Sequence, residues 1–170
     1  MNQPLDTYFG PQSECIRIDF ETSPGWGGSY VDIEVEADPN TYIRVTWGDA
    51  PAKICQHYTQ SLQLTHSYPS YNQGGGIRFT LCLELQEGAH FIGLKTRERS
   101  VFLNTLRLDV SHCPHLRYLQ YQKIEELCLP KRCMLTDLKL REYRGTHLDL
   151  SGTHDLETFA CTYSGALQSI

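Results

Sequence analysis

The chain has seven histidines and seven cysteines in 170 residues, enough ligands for a metal site. The densest grouping is His112-Cys113-Pro114-His115. A zinc ion needs about four nitrogen or sulfur ligands. Here a proline separates the potential ligands inside a tight turn, so a solvated turn is expected, with no metal and no cofactor. The cysteine count is odd and no C-x-x-C occurs. Cys82, Cys128 and Cys161 fall within strand-like runs, which predicts small buried or half-buried thiols and not a disulfide framework. Asp49 and His66 have the chemistry of an acid–base pair, but no nucleophile joins them. The chain holds no G-x-S-x-G, P-loop or dinucleotide fingerprint. Gly74-Gly75-Gly76 lacks a following helix and lysine and reads as a hairpin loop. The expectation is a non-catalytic protein with no catalytic residues.

The elements that would position these groups are strands. Cys15–Phe20, Val31–Val35, Tyr42–Trp47, Leu62–Leu64 and Ile77–Leu85 alternate apolar with polar residues or are rich in β-branched and aromatic ones. Period two on this scale predicts half-buried strands with one wet face. Turn residues separate them at Pro24–Gly28, Asp38–Asn40, Trp47–Asp49 and Asn72–Gly76. The first half is expected to be an antiparallel β-sandwich over residues 1–88.

The second half, residues 89–170, repeats itself. Leu108-x-Val110, Leu127-x-Leu129 and Leu148-x-Leu150 start 19 and 21 residues apart. Each is followed by an apolar residue eight positions on (Leu116, Leu135, Leu156), another at eleven (Leu119, Leu138, Phe159) and another at thirteen (Tyr121, Leu140, Cys161). A period of this length marks a solenoid of about three coils, each strand, turn, strand, turn, with one or two parallel ladders. Run backwards from Leu83, the template meets Phe91 and Leu94, so a degenerate first coil is expected to share the sandwich's core. Lys95–Ser100 then reads as an inserted loop.

With L-D-[LV]-S-x4-L-x2-[LF]-x-[YC] visible at Leu108–Tyr121 and Leu148–Cys161, the second half resembles short bacterial leucine-rich repeats. The central unit departs, with Cys128 and Pro130 replacing the Asp and Ser. The usual Asn is replaced in the regions Gln122–Lys123 and Glu142–Tyr143. Trp47-Gly48-Asp49-Ala50 followed by His66-Ser67-Tyr68 is similar to the W-G-D-G…H-x-Y signature of PKD-like β-sandwich domains. That resemblance implies a core role for Trp47, a turn-ordering role for Asp49, and a strand end at His66 and Tyr68. Together the two imply a bacterial surface protein: mainly β, a PKD/Ig-like sandwich followed by a short leucine-rich-repeat solenoid.

Solenoids usually build binding surfaces. Constant spacing lines up Tyr118, Asp137 and Thr158; Gln120, Lys139 and Ala160; and Gln122, Arg141 and Thr162. Tyr118, Gln120, Gln122, Lys139, Arg141 and the loop residue Trp26 are the candidate binding residues, for a protein or glycan partner. Tyr58, Tyr68 and Tyr71, in or beside loops, offer further aromatic contacts. A net charge of −5 gives no electrostatic reason to bind nucleic acid, and no apolar run spans a bilayer. The first residues lack a signal peptide's basic and apolar regions. The resemblance implies a secreted or surface location, and a true start at Met1 implies an intracellular inhibitor of immunity type. Ala166–Ile170 resembles the lead-in to a further coil. Either Ile170 caps the stack or a second copy covers its end by self-association.

Overall fold

The computed structural model describes residues 4–22, 29–68, 76–97 and 103–170. It is mainly β, with solenoid-like stacking of its second half. Among the described residues a 3-10 turn (Leu5–Tyr8) precedes eleven strands. They are β1 (Cys15–Thr22), β2 (Tyr30–Ala37), β3 (Thr41–Thr46), β4 (Lys53–His57), β5 (Ser61–Ser67), β6 (Arg78–Leu85), β7 (Phe91–Thr96), β8 (Leu103–Asp109), β9 (Tyr118–Cys128), β10 (Asp137–Tyr143) and β11 (Thr158–Thr162). The five strands expected from alternation are all present. The edge strand β4 was not expected.

One continuous sheet runs β4-β3-β6-β1-β8-β9-β7-β2-β5, with β10 and β11 added beside β9. It folds back on itself. Ile18, Phe20 and Leu81 from one limb and Val31 and Ile33 from the other line a single cavity of about 20 Å3, room for roughly one water. The buried apolar residues form one cluster from Ile16 to Leu148, so both halves of the sequence share a core, as expected. Strand β9 joins the limbs. Its first half pairs with β7 and β10, and its second half with β8.

The coil registers match the sequence period. Leu94, Leu119, Leu138 and Phe159 pair in succession across four parallel strands. Leu94, Leu119 and Leu138 are buried, whereas Phe159 is 38% exposed at the last coil. Among the described strands β11 pairs with β10 alone, so no further strand covers Phe159. Lys123 within β9, Glu142 near the end of β10 and Tyr163 just after β11 each adopt φ of 57°. These left-handed corners recur at the repeat spacing, so the coils turn regularly without the usual Asn. Asp109, at the end of β8, accepts the Ser111 N–H at 3.0 Å, and Asp149 accepts that of Ser151 at 2.9 Å, each fixing the turn that follows it. Pro130 has no N–H to leave unpaired, which is why Cys128 can replace the Asp in the central coil.

Three expectations need correction. Leu83 does not open the first coil: β1 lies between β6 and β8, so Ile18 and not Leu83 neighbours Leu108. Lys95 and Thr96 belong to β7 and not to a loop, and residues 98–100 lie outside the described residues. Leu148–Leu150 forms no strand, so the second ladder stops after Leu108 and Leu127. The C-terminal segment does stack on the preceding coil's lead-in, with Ser169 bridging His147, but Ile170 stays 64% exposed and does not cap it. No helix of the described residues is long and apolar enough to cross a membrane.

Candidate functional site

The outward residues of six strands form continuous rows. Gln63, Glu34, Lys95, Gln120, Lys139 and Ala160 are successive partners across β5, β2, β7, β9, β10 and β11. A parallel row runs Ser61, Glu36, Gly93, Tyr118, Asp137 and Thr158. Much of this surface is internally paired. Lys95 and Arg97 reach Glu34 at 3.1 and 3.5 Å. Burial alone would raise the Glu34 carboxyl, but Lys95, Ser61 and Arg97 together hold it below the usual range. Lys139 reaches Asp137 on its own strand at 2.7 Å. The Arg141 guanidinium lies over the Tyr163 ring at 5.4 Å, which leaves its N–H edge for a partner.

At one end of these rows a cleft of about 290 Å3 is lined by Gln120, Gln122, Lys139 and Arg141, together with Thr96, Ala160 and Thr162. Four of the six candidate binding residues therefore meet at one place. Tyr118 does not join them. Its ring folds over Gly93, where any Cβ would fall inside the ring. Its hydroxyl is buried without a well-formed hydrogen bond; burial and the nearby Glu36 carboxylate push its pKa up. Trp26 lies outside the described residues, as do Tyr71 and Gly74-Gly75.

A second constellation joins Trp47, Asp49, His66 and Tyr68. His66 stacks on Trp47 at 4.6 Å and 12°, and its Nε2 meets the Asp49 carboxylate at 2.9 Å. Tyr68 packs edge-on against His66 and donates its O–H to the Trp47 carbonyl at 2.8 Å. Tyr68 is only 1% exposed, so it is no surface anchor; burial and then Asp49 push its pKa up. These contacts tie the end of β5 to the turn after β3. The His66 ring is packed between Trp47 and Tyr68, and its Nε2 is engaged by Asp49.

The third is Glu14, His90 and His115. Oε1 of the buried Glu14 meets Nδ1 of His90 at 2.9 Å and Nδ1 of His115 at 2.8 Å. Its Oε2 accepts the Phe91 N–H at 2.8 Å. Of the His112–His115 segment only His115 reaches this group, because Cys113 turns inward and donates to the Cys15 carbonyl.

No protein-family model, curated protein or solved structure matches this chain. The sequence reading missed Glu14 and His90. A signal for His90 existed: it precedes Phe91 as His115 precedes Leu116, so the backward-run template puts both in one column. Glu14 left none, being 76 and 101 residues from its partners.

Proposed function

We propose that this chain is a non-catalytic interaction protein that binds a protein partner through the open ladder face of β9, β10 and β11. The cleft formed by Gln120, Gln122, Lys139 and Arg141 is the observation that carries this reading. Amide, ammonium and guanidinium groups there are donors spaced by a fixed ladder, suited to the carboxylates and carbonyls of a partner. Of the aromatic groups that a glycan site would use, Tyr118 is turned onto Gly93 and Tyr121 is buried, which leaves Tyr163, beside Arg141, as the exposed ring at this end of the ladder.

The finer fold reading, a PKD-like sandwich followed by leucine-rich repeats, belongs to this proposal. The Trp47–Asp49–His66–Tyr68 packing supports the first part. The in-register leucine column and the repeated corners support the second. A surface location follows from those resemblances. The intracellular, immunity-type reading is favoured by a different observation: all seven cysteines are free thiols, including two whose sulfurs lie 3.2 Å apart. Free thiols suit a reducing compartment.

The test is a quantitative pull-down with the intact chain against Lys139→Glu/Arg141→Glu, alongside a glycan array. A protein retained by the wild type and lost from the variant is expected. Unchanged retention would remove the ladder face, and glycan binding abolished by the same variant would change the partner class.

A further inference from the structure

We propose that Glu14, His90 and His115 form a binding site for one divalent transition metal ion of the zinc class. The proposal stands on the convergence of three ligand atoms and is independent of the ladder face. Glu14 Oε1, His90 Nδ1 and His115 Nδ1 all lie within 4.8 Å of one another. Two imidazoles and a carboxylate suit zinc, iron or nickel, whereas magnesium and calcium prefer all-oxygen sets.

The fold builds this convergence from three separated turns. His90 and His115 hold equivalent positions in successive coils, one residue before Phe91 and Leu116. The parallel ladder that begins with Arg117 N–H donating to the Ile92 carbonyl brings their rings to 3.6 Å between centroids. Glu14 enters from the lead-in to β1, fixed where its carbonyl accepts the Leu85 N–H. The Phe91 N–H orients its carboxylate from behind, the kind of outer contact that aims a metal ligand. The His90 N–H in turn donates to Asp38 at 2.9 Å, which steadies the second turn.

A buried carboxylate needs compensation, and a dication supplies more of it than two imidazole N–H groups. With a metal bound, each Nδ1 gives its lone pair to the ion and the ring keeps its proton on Nε2. Ligands ~2.1 Å from a tetrahedral ion stand roughly 3.4 Å apart. The present separations of 2.8 and 2.9 Å therefore call for an outward shift of about half an ångström, from rings that are 39% and 41% exposed. His115 also lines a groove of about 510 Å3 with Arg132, Met134, His154 and Asp155. A fourth ligand, water or a small anion, can arrive from that side.

The experiment uses the full chain, stripped with a chelator and kept reduced. Cobalt(II) is titrated in and followed by its visible absorption, then displaced with zinc, with magnesium in parallel. The expected result is one cobalt per chain, no thiolate charge-transfer band, displacement by zinc and not by magnesium, and a higher melting temperature. His90→Ala and His115→Ala should each weaken binding by at least about ten-fold, and His112→Ala should not. Circular dichroism in chelator checks folding. If either alanine variant unfolds, Glu14→Gln replaces it, since its amide oxygen still accepts the Phe91 N–H. Absence of binding, a thiolate band, undiminished affinity in these variants or equal competition by magnesium would each overturn the site.

Discussion

Gly93 leaves bare the space that the phenol ring of Tyr118 fills, and the ring lies across the β7–β9 junction where the two limbs meet. A side chain at residue 93 displaces that ring. We expect Gly93→Ala to cost about 1–3 kcal/mol in a urea melt, as overpacking typically does. Tyr118→Ala should cost less in the Gly93→Ala background than in the wild type. Additive effects in that double-mutant cycle would show that the ring does not depend on the bare glycine.

The corners make a second prediction. Lys123 and Glu142 hold φ of 57°, a region that costs a residue with a Cβ about 1–2 kcal/mol. Lys123→Gly and Glu142→Gly should each stabilise the chain by about 0.5–1 kcal/mol once glycine's greater freedom in the unfolded chain is subtracted. Denaturant midpoints that fall instead would mean that the stems of Lys123 and Glu142 pack better than the corner strains them.

These two predictions also mark what the sequence reveals. Ladder columns such as Leu119–Leu138 are legible because a solenoid forces equal spacing onto equal places. The strands of the first half are legible because one face is wet. β4 hides because Ile54, Cys55 and Gln56 show no burial alternation at the sheet edge. The placement of β1 between β6 and β8 is a long-range choice that no local pattern encodes. The corners hide because Lys, Glu and Tyr carry no left-handed preference; stacking of the coils imposes it. Four of the candidate binding residues converge because they share the repeat, whereas the Glu14 cluster depends on a partner outside it.

His57 predicts an acid sensitivity. The residue is 1% exposed and its Nε2 has no hydrogen-bond partner among the described residues. Burial pulls its pKa below the ordinary value, against hydrogen bonds to the backbone at Gln60 and Ala37. The folded state therefore favours neutral His57. Its contribution to stability is complete above about pH 6.5, the unfolded value, and is lost as pH falls toward the folded pKa, at up to about 1.4 kcal/mol per pH unit. The stability difference between wild type and His57→Leu should shift in the variant's favour across that window. A difference that stays flat with pH would mean the imidazole is not held neutral.

Cys82 supplies the last prediction. Its sulfur lies 3.2 Å from that of Cys15, diagonally across β1 and β6. The hydrogen bond from Cys15 brings the Cys82 thiol down to about 7 against the opposing effect of burial, while the same contact pushes Cys15 up. The contact therefore favours the anion on Cys82 over the anion on Cys15. The pH–rate profile for alkylation of Cys82, read by peptide mass spectrometry, should have its midpoint near 7 in the wild type. In Cys15→Ala the midpoint should move up toward the ordinary thiol value of about 8.5. At pH 7 the thiolate fraction would then fall about fifteen-fold, partly offset by the greater nucleophilicity of a more basic sulfur, leaving a net slowing of about three-fold. An unmoved midpoint would assign the activation to Arg17 and Arg44, the other groups that lower this thiol, and not to the neighbouring sulfur.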